Sequence, residues 1–384
     1  MNPSGGVGPK AGPVNPSDRQ AADAIDQVSK ALAEWTLAAL AEEDPSFAVR
    51  NGPEAMRLWR GEMRNRIQHL AEAVACGVPE IFARNVCWSR EAFEARDLPI
   101  ADLVASLHRL RAVVADQLPA PIAARCEKAI DAGLARVAET KPCRSDRAVS
   151  ESPEPIAGEG EDATAARLYL LHLLERQEEE AARIVLDLQE RGRGTTAIYE
   201  RVLAPALAEI GRMWHLREAT VADEHFATGA TRMIMAELRR HAPREPRNGR
   251  ACLCTAVGGD LHDLGIRMVA DVFEFAGWEA ECLGADMPAD EIVSALESRV
   301  TGRFDLLAVA ANTMLGLRPT ADLVSSVKSS GAGQGVKVLV GGLPFRLAPE
   351  LVSVVGADGC ANSASAAVEL ADRLLATDAS TATG

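Results

Sequence analysis

The chain has 384 residues, of which 47% are hydrophobic, and this length suits two or three globular domains. Its formal net charge of −14 argues against direct nucleic-acid binding, which needs a basic face. No apolar run approaches the roughly 20 residues of a membrane span, and the N-terminus lacks the apolar segment of a signal peptide. Eight cysteines without metal-ligand spacing fit reduced thiols. We therefore expect a cytoplasmic protein that does not bind a membrane.

The first part of the chain predicts a helical domain between two polar segments. Residues 1–16 are rich in Gly, Pro and Asn and are predicted to be a disordered tail. Ser17 is a candidate N-cap for the first helix of an all-α domain at 17–143. Its helices are expected at 17–43, 53–75, 78–96, 99–117 and 120–139. The acidic, Pro/Gly-rich stretch 144–162 predicts a solvated linker.

The second part predicts a helical bundle followed by an α/β domain. Residues 163–242 are expected to form four helices, at 163–176, 177–191, 195–214 and 219–241, which suit a small bundle. Within 248–378, apolar runs alternate with helical stretches, as in a flavodoxin-like (Rossmann-like) domain with a five-stranded parallel sheet. The strands are expected at 250–256, 280–283, 306–310, 336–340 and 357–361. Because such sheets bind ligands beyond the carboxyl ends of their strands, the bundle is predicted to cap that face.

A loop between the first strand and its helix carries the strongest functional pattern, Gly259-Asp260-Leu261-His262-Asp263-Leu264-Gly265. A neutral imidazole can coordinate a soft transition metal, and a carboxylate two residues earlier can hold its other ring nitrogen. A glycine allows a bulky planar ligand to approach the backbone. We therefore predict that His262 binds a metal, that Asp260 orients it and that Gly265 leaves room.

The pattern Asp-x-His-x-x-Gly, with Gly341-Gly342 further along the chain, resembles the cobalamin-binding Rossmann-like domain of corrinoid proteins. The resemblance implies that His262 replaces the cofactor's benzimidazole as the lower axial cobalt ligand. It also implies that the nucleotide tail enters a slot lined by the glycines. Where many relatives have Ser-x-Leu or Ser-x-Thr after the third strand, this chain has Ala310-Ala311-Asn312-Thr313. The tail pocket would then use Asn312 or Thr313, or lack that hydrogen bond.

A second pattern lies in the predicted cap, where Trp214 and His215 precede the pair Glu224-His225. The Trp-x9-Glu-His spacing resembles the cobalamin-dependent light sensors of the CarH/LitR type. There, the resemblance implies, the tryptophan covers the upper face of the cofactor and the Glu-His pair flanks a 5′-deoxyadenosyl group. His215 is a candidate upper cobalt ligand after light has cleaved the Co–C bond.

The all-α domain at 17–143 lacks the MerR-type DNA-binding domain with which such regulators often begin. It resembles, loosely, the globin-like sensory domains of stressosome-type proteins. Two interpretations stay open. The domain could pass a signal to an unknown downstream protein, or it could hold a second tetrapyrrole such as biliverdin, as in the related photocobilins. A homo-oligomer is also possible in either case.

From these resemblances we predict a non-enzymatic photoreceptor that binds adenosylcobalamin and changes its cap conformation when light cleaves the Co–C bond. Trp214 and the extra N-terminal domain favour this interpretation. The alternative is a corrinoid carrier protein of a methyltransferase system, which would use the same His262 but needs a cap open to partner enzymes. A mutase fragment is excluded, because no barrel of about 250 residues accompanies the α/β domain.

Overall fold

The structure is a computed structural model that describes residues 14–139, 156, 158–299 and 302–381. It divides into two compact units, one within residues 12–148 and one that contains the chain from residue 149 onward. Most of the predicted tail (1–16) and of the predicted linker (144–162) lies outside the described residues. Across the described ranges, no helix is both long enough and apolar enough to cross a membrane.

The first unit is built from helices throughout its described part. They are α1 (Pro16–Glu43), α2 (Pro45–Cys76), α3 (Glu80–Glu94), α4 (Ile100–Gln117) and α5 (Ala120–Ala138). α1 begins one residue earlier than expected, because the side chain of Asn15 accepts a hydrogen bond from the backbone N–H of Ser17. α2 begins eight residues before the predicted 53 and bends at Gly52, directly before Pro53, which cannot continue the backbone hydrogen-bond pattern.

The cap of the second unit contains α6 (Glu161–Leu174), α7 (Glu178–Glu190), α8 (Thr195–Ile198), α9 (Ala204–His215) and α10 (Val221–His241). The single helix predicted at 195–214 is interrupted by a π-helical turn, Tyr199–Leu203. Pro205 explains the interruption, because it has no backbone N–H and its ring would collide with the carbonyl four residues earlier. A capping box formed by Thr220 and Asp223 fixes the start of α10.

The α/β domain follows the cap. Its elements are β1 (Ala251–Val257), α11 (Leu264–Phe275), β2 (Glu279–Met287), α12 (Ala289–Glu297), β3 (Leu306–Ala310), α13 (Leu317–Ser329), β4 (Lys337–Gly341), α14 (Leu343–Leu347), α15 (Leu351–Val355), β5 (Gly359–Cys360) and α16 (Ala364–Thr381). The strands are all parallel in the order β2-β1-β3-β4-β5, which is the flavodoxin-like order. The predicted fold class is therefore confirmed. β2 is longer than the predicted 280–283, since this edge strand consists mostly of exposed and half-buried residues and has no continuous apolar run.

The cap packs on the α/β domain through α11. An apolar stripe on α11, formed by Leu264, Met268, Val272 and Phe275, is buried in one cluster with cap residues such as Tyr199 and Leu238. Full burial of each such side chain contributes about 1.5–3 kcal/mol. The stripe begins at the residue that follows the His262 loop, so the contact holds the cap near the carboxyl end of β1.

Candidate functional site

The loop after β1 is fastened to the end of the neighbouring strand β2. The backbone N–H of Gly259 donates to Asp286 Oδ1 at 2.6 Å, and the backbone N–H of Asp286 donates to the carbonyl oxygen of Asp260 at 3.0 Å. Asp286 was not predicted, because nothing in the local sequence shows that the end of β2 meets this loop. Its two hydrogen bonds fix the backbone from which Asp260 and His262 project.

Asp260 is the centre of the site. Asp260 is only 2% exposed. Its carboxylate accepts hydrogen bonds from His262 Nδ1 at 2.8 Å and from the His262 backbone N–H at 3.0 Å. It also accepts from the Asn312 backbone N–H at 2.5 Å and from Asn312 Nδ2 at 3.2 Å. Burial favours a higher pKa, but the hydrogen bonds from His262 and Asn312 outweigh it and lower the pKa of Asp260. The carboxylate is therefore ionised at neutral pH.

The protonation state of Asp260 determines which nitrogen of His262 can bind a metal. An ionised carboxylate can only accept hydrogen bonds, so Nδ1 of His262 must be the donor. In the neutral imidazole, Nε2 then carries the lone pair that coordinates a metal. The His262 side chain is 68% exposed, which leaves it open to a ligand. At the carboxyl end of the sheet, the chain thus offers one oriented nitrogen whose lone pair is available to a metal.

The negative charge of Glu224, in the first turn of α10, acts on this imidazole. The hydrogen bond to Asp260 raises the pKa of His262, partial burial opposes the increase, and the negative charges of Asp260 and Glu224 add to it. The effect of Glu224 shows that α10 begins within electrostatic range of His262. Glu224 and His225 also contact each other, with 2.7 Å between Glu224 Oε2 and His225 Nδ1.

The remaining cap residues of the prediction lie on α9. Trp214 is 42% exposed, whereas His215 is buried. In the described part of the chain, no hydrogen bond joins Trp214 to Asp260, His262 or Asn312. Val221, at the start of α10, is a further apolar side chain with 55% exposure.

The segments after β3 and β4 meet beside Asn312. The Ala311 backbone N–H donates to the Gly341 carbonyl oxygen at 3.0 Å. Gly342 has φ +109°, and a Cβ there would lie 2.0 Å from the Ala311 carbonyl oxygen, so only glycine fits. This requirement is internal to the protein, and the tail contact predicted for Gly341-Gly342 stays a prediction.

Asn312 has partners within the protein, since its side-chain amide donates to His262 O at 3.0 Å as well as to Asp260. Thr313 begins a short 3₁₀ turn at Met314–Gly316 without capping it through its side chain. Gly265, in the first turn of α11, is exposed, with no atom within 4 Å of the position a Cβ would take. The backbone there is open to a large ligand.

These residues suit a metal that arrives with most of its ligands in place. His262 offers a single nitrogen, and the other coordination positions must come from the group that carries the metal, as the ring nitrogens of a corrin would supply them. The hydrogen-bonded carboxylate on the far ring nitrogen is the usual support of a metal-bound histidine. The observed donor set therefore fits a corrinoid cofactor.

Two family models and several known proteins match this chain. Residues 250–371 and residues 166–239 each match a family model described as a B12 binding domain. Dimethylamine corrinoid protein 3 of Methanosarcina mazei is 33% identical over 120 residues, which cover 31% of this chain and 69% of that protein. Dimethylamine corrinoid protein 1 of Methanosarcina acetivorans is 28% identical over 197 residues, 50% of this chain and 90% of that protein. The monomethylamine corrinoid protein of Methanosarcina barkeri matches 54% of this chain and 96% of its own, with 18% identity and a TM-score of 0.49.

These relatives overturn the predicted photoreceptor. They are corrinoid proteins, so the light-sensor prediction drawn from the Trp-x9-Glu-His spacing of the CarH/LitR type is wrong. The spacing involves only three side chains, and two of them, Glu224 and His225, are hydrogen-bonded to each other. The roles that depended on photolysis, including the upper-ligand role of His215, lose their basis. The chain belongs to the corrinoid proteins and carries B12 binding domains at residues 166–239 and 250–371.

Proposed function

We propose that this chain is the corrinoid carrier protein of a methyltransferase system. The pairing of the buried, ionised Asp260 with the exposed His262, whose Nε2 is left to bind a metal, supports corrinoid binding. The observation that favours a carrier over a light sensor is the similarity to dimethylamine corrinoid proteins. When bound, the corrinoid would supply a cobalt centre able to accept and release a methyl group. The chain itself would not be an enzyme, because partner methyltransferases would carry out both transfers.

Each side chain of the site has a task in this proposal. His262 would be the lower axial ligand, and Asp260 and Asn312 would keep its ring in the binding orientation. Gly265 would let the ring system approach the backbone, and Thr313, Gly341 and Gly342 stay candidates for the nucleotide tail. The exposed apolar side chains of Trp214 and Val221 would exclude water from the upper face.

The names of the relatives suggest which methyl donor to test first. Several are called dimethylamine corrinoid proteins, and we infer a methylated amine as the donor class for this system. In a carrier, the cofactor form that matters is the methyl form. The adenosyl form and a bilin belonged to the light-sensor prediction and are not part of the proposal.

Absorption spectroscopy tests the proposed ligand. The purified full-length chain is titrated with hydroxocobalamin, and the same titration is done with His262→Ala and with the control His241→Ala, an exposed histidine in the last turn of α10. We expect the wild type and the control to give the same spectrum of histidine-bound cobalamin. His262→Ala should lose that spectrum. Identical spectra for all three proteins would rule out His262 as the ligand.

A comparison of alkyl forms tests the carrier role. Affinities for methylcobalamin and adenosylcobalamin are measured in the dark by fluorescence quenching of the tryptophans. A carrier should bind the methyl form at least as tightly as the adenosyl form. A preference for the adenosyl form of about tenfold or more, or 1.4 kcal/mol, would contradict the carrier proposal.

A further inference from the structure

A buried carboxylate next to His262 is held from two sides. Asp263, the residue before the first turn of α11, has a side chain that is only 5% exposed. Arg267, one turn further along α11, donates from Nε to Asp263 Oδ2 at 2.6 Å. Arg232, on the cap helix α10, donates from Nη2 to Asp263 Oδ1 at 2.8 Å. One carboxylate thus joins its own helix and the cap.

The two arginines are not equivalent. A buried carboxylate without a partner is costly, but Arg267 meets that requirement from within the same helix, at the favourable i,i+4 spacing. Arg232 comes from the other domain, and its side chain is 50% exposed. If α10 moved away, Asp263 would keep Arg267 and would not become an unpaired buried charge. The Arg232 contact can therefore form and break with the position of the cap.

The surroundings of Arg232 also suit a separable contact. A groove of about 330 Å³ lies between α10, α11 and β2. Charged side chains line much of it, namely Arg232, Arg239, Arg267, Asp271 and Glu274. At this groove, α10 and α11 meet through ion pairs around an open space, and the apolar stripe of α11 lies elsewhere. Among these ion pairs, the one to Asp263 involves the residue directly after His262.

We infer that Arg232 is a positioning residue that couples the cap to the His262 loop. With α10 in place, Arg232 and Arg267 together fix Asp263, and the fixed Asp263 restrains the backbone on the C-terminal side of His262. Loss of the Arg232 contact leaves the Asp263 carboxylate held by Arg267 alone, so the loop moves more. The consequence for a cobalt ligand rests on the proposed function, whereas the coupling itself is a property of the protein without cofactor.

Hydrogen exchange on the full-length, cofactor-free chain tests the coupling. The amides of Asp260, His262 and Arg267 are hydrogen-bonded to Val257 O, Asp260 Oδ1 and Asp263 O, so peptides covering 260–267 report on the loop. In Arg232→Gln we expect exchange there to rise roughly three- to tenfold, the range of a modest coupling energy. Arg240→Gln, which alters an exposed arginine of the same helix, should leave exchange at wild-type rates.

Two exchange results would overturn the inference. One is unchanged exchange of 260–267 in Arg232→Gln, and the other is an increase confined to the peptides of α10. Because Arg232 is half exposed, the variant should fold, which its circular dichroism and unfolding midpoint verify.

A hydroxocobalamin titration of the same variants adds the link to the ligand, and Arg232→Gln should weaken binding about threefold or more relative to Arg240→Gln. If the wild type itself fails to bind hydroxocobalamin, the proposed function fails, while the exchange experiment still decides the coupling. If the wild type binds it and Arg232→Gln matches the control in affinity and exchange, the coupling fails and the proposed function stands.

Discussion

Replacement of Asn312 by alanine separates two roles that this residue could have. The sequence suggested that Asn312 contacts the nucleotide tail of a cobalamin, whereas in the structure its side-chain amide donates to Asp260 Oδ2 at 3.2 Å and to His262 O at 3.0 Å. The backbone N–H of Asn312, which also donates to Asp260, is retained in the variant. Asn312→Ala therefore removes two hydrogen bonds that orient the histidine loop and leaves a third.

The expected size of the effect follows from these two bonds. A neutral hydrogen bond contributes about 1 kcal/mol to stability, and one to an ionised group about 1.5–3 kcal/mol. The bond to Asp260 is long and its donor is partly exposed, so we count it as about 1 kcal/mol. The free energy of unfolding of the cofactor-free chain should fall by about 2 kcal/mol. Corrinoid affinity should fall roughly tenfold, the lower end for a residue that orients a metal ligand.

The assay compares a complete cobalamin with a corrinoid that lacks the nucleotide tail. Wild type and Asn312→Ala are titrated with hydroxocobalamin and with diaquocobinamide, and the ratio of dissociation constants is determined for each ligand. If Asn312 acts through Asp260 and His262, the ratio is the same for both ligands, since both need the imidazole. His241→Ala, at an exposed position in the last turn of α10, serves as the control, because this histidine has no role in the proposed site.

A selective loss would refute this reasoning. If Asn312→Ala weakened only hydroxocobalamin binding, then Asn312 would contact the tail, and its observed hydrogen bonds would be irrelevant to ligand orientation. An unfolding free energy equal to that of the wild type would likewise show that the two side-chain bonds contribute nothing.

Two further predictions concern stability. Gly342→Ala should lower the free energy of unfolding by about 3 kcal/mol or more, since it combines a backbone conformation restricted to glycine with a Cβ 2.0 Å from the Ala311 carbonyl oxygen. Chemical denaturation measures the loss. The control Gly341→Ala, whose Cβ has more space, should lower the free energy of unfolding clearly less. Partial burial raises the pKa of Asp271, although Tyr199 and Arg239 oppose the increase. The folded state then holds this proton more tightly than the unfolded state, so the stabilisation present at low pH should be lost as pH rises through the raised pKa. Denaturation curves recorded from pH 4 to 7 measure this fall in the free energy of unfolding. Asp271→Asn should abolish the part of the fall that comes from Asp271.

Local patterns explain which parts of the fold could be predicted. The strands at β1, β3 and β4 were predicted within one residue, because each is a short apolar run bounded by turn residues. β2 was predicted too short, since this edge strand consists mostly of exposed and half-buried residues and its pattern resembles a loop. The interruption of the helix predicted at 195–214 could have been predicted from Pro205, which cannot sit inside a regular helix.

The site was predictable only where it is local in sequence. Asp260 and His262 are two residues apart, so their hydrogen bond follows from the loop itself. Asp286 and Arg232 come from other elements, and their contacts depend on how β2 and α10 pack against the loop. The function was mispredicted because the photoreceptor interpretation relied on the spacing of Trp214 to Glu224 and His225, which is not specific to light sensors. Helix faces place many residues at similar spacings, and such a spacing does not reveal what covers the helix.

The arrangement around Asp260 explains why the loop motif depends on the whole sheet. Its carbonyl oxygen is held from the end of β2 by Asp286, and its carboxylate is held from the end of β3 by Asn312. The chain after β3 is in turn fixed to the end of β4, since the Ala311 N–H donates to Gly341 O. Because β1, β2, β3 and β4 are neighbours in one parallel sheet, their carboxyl ends converge here. The orientation of His262 is therefore set by four strand ends acting through one buried carboxylate, and a change at any of them should reach Nε2 of His262.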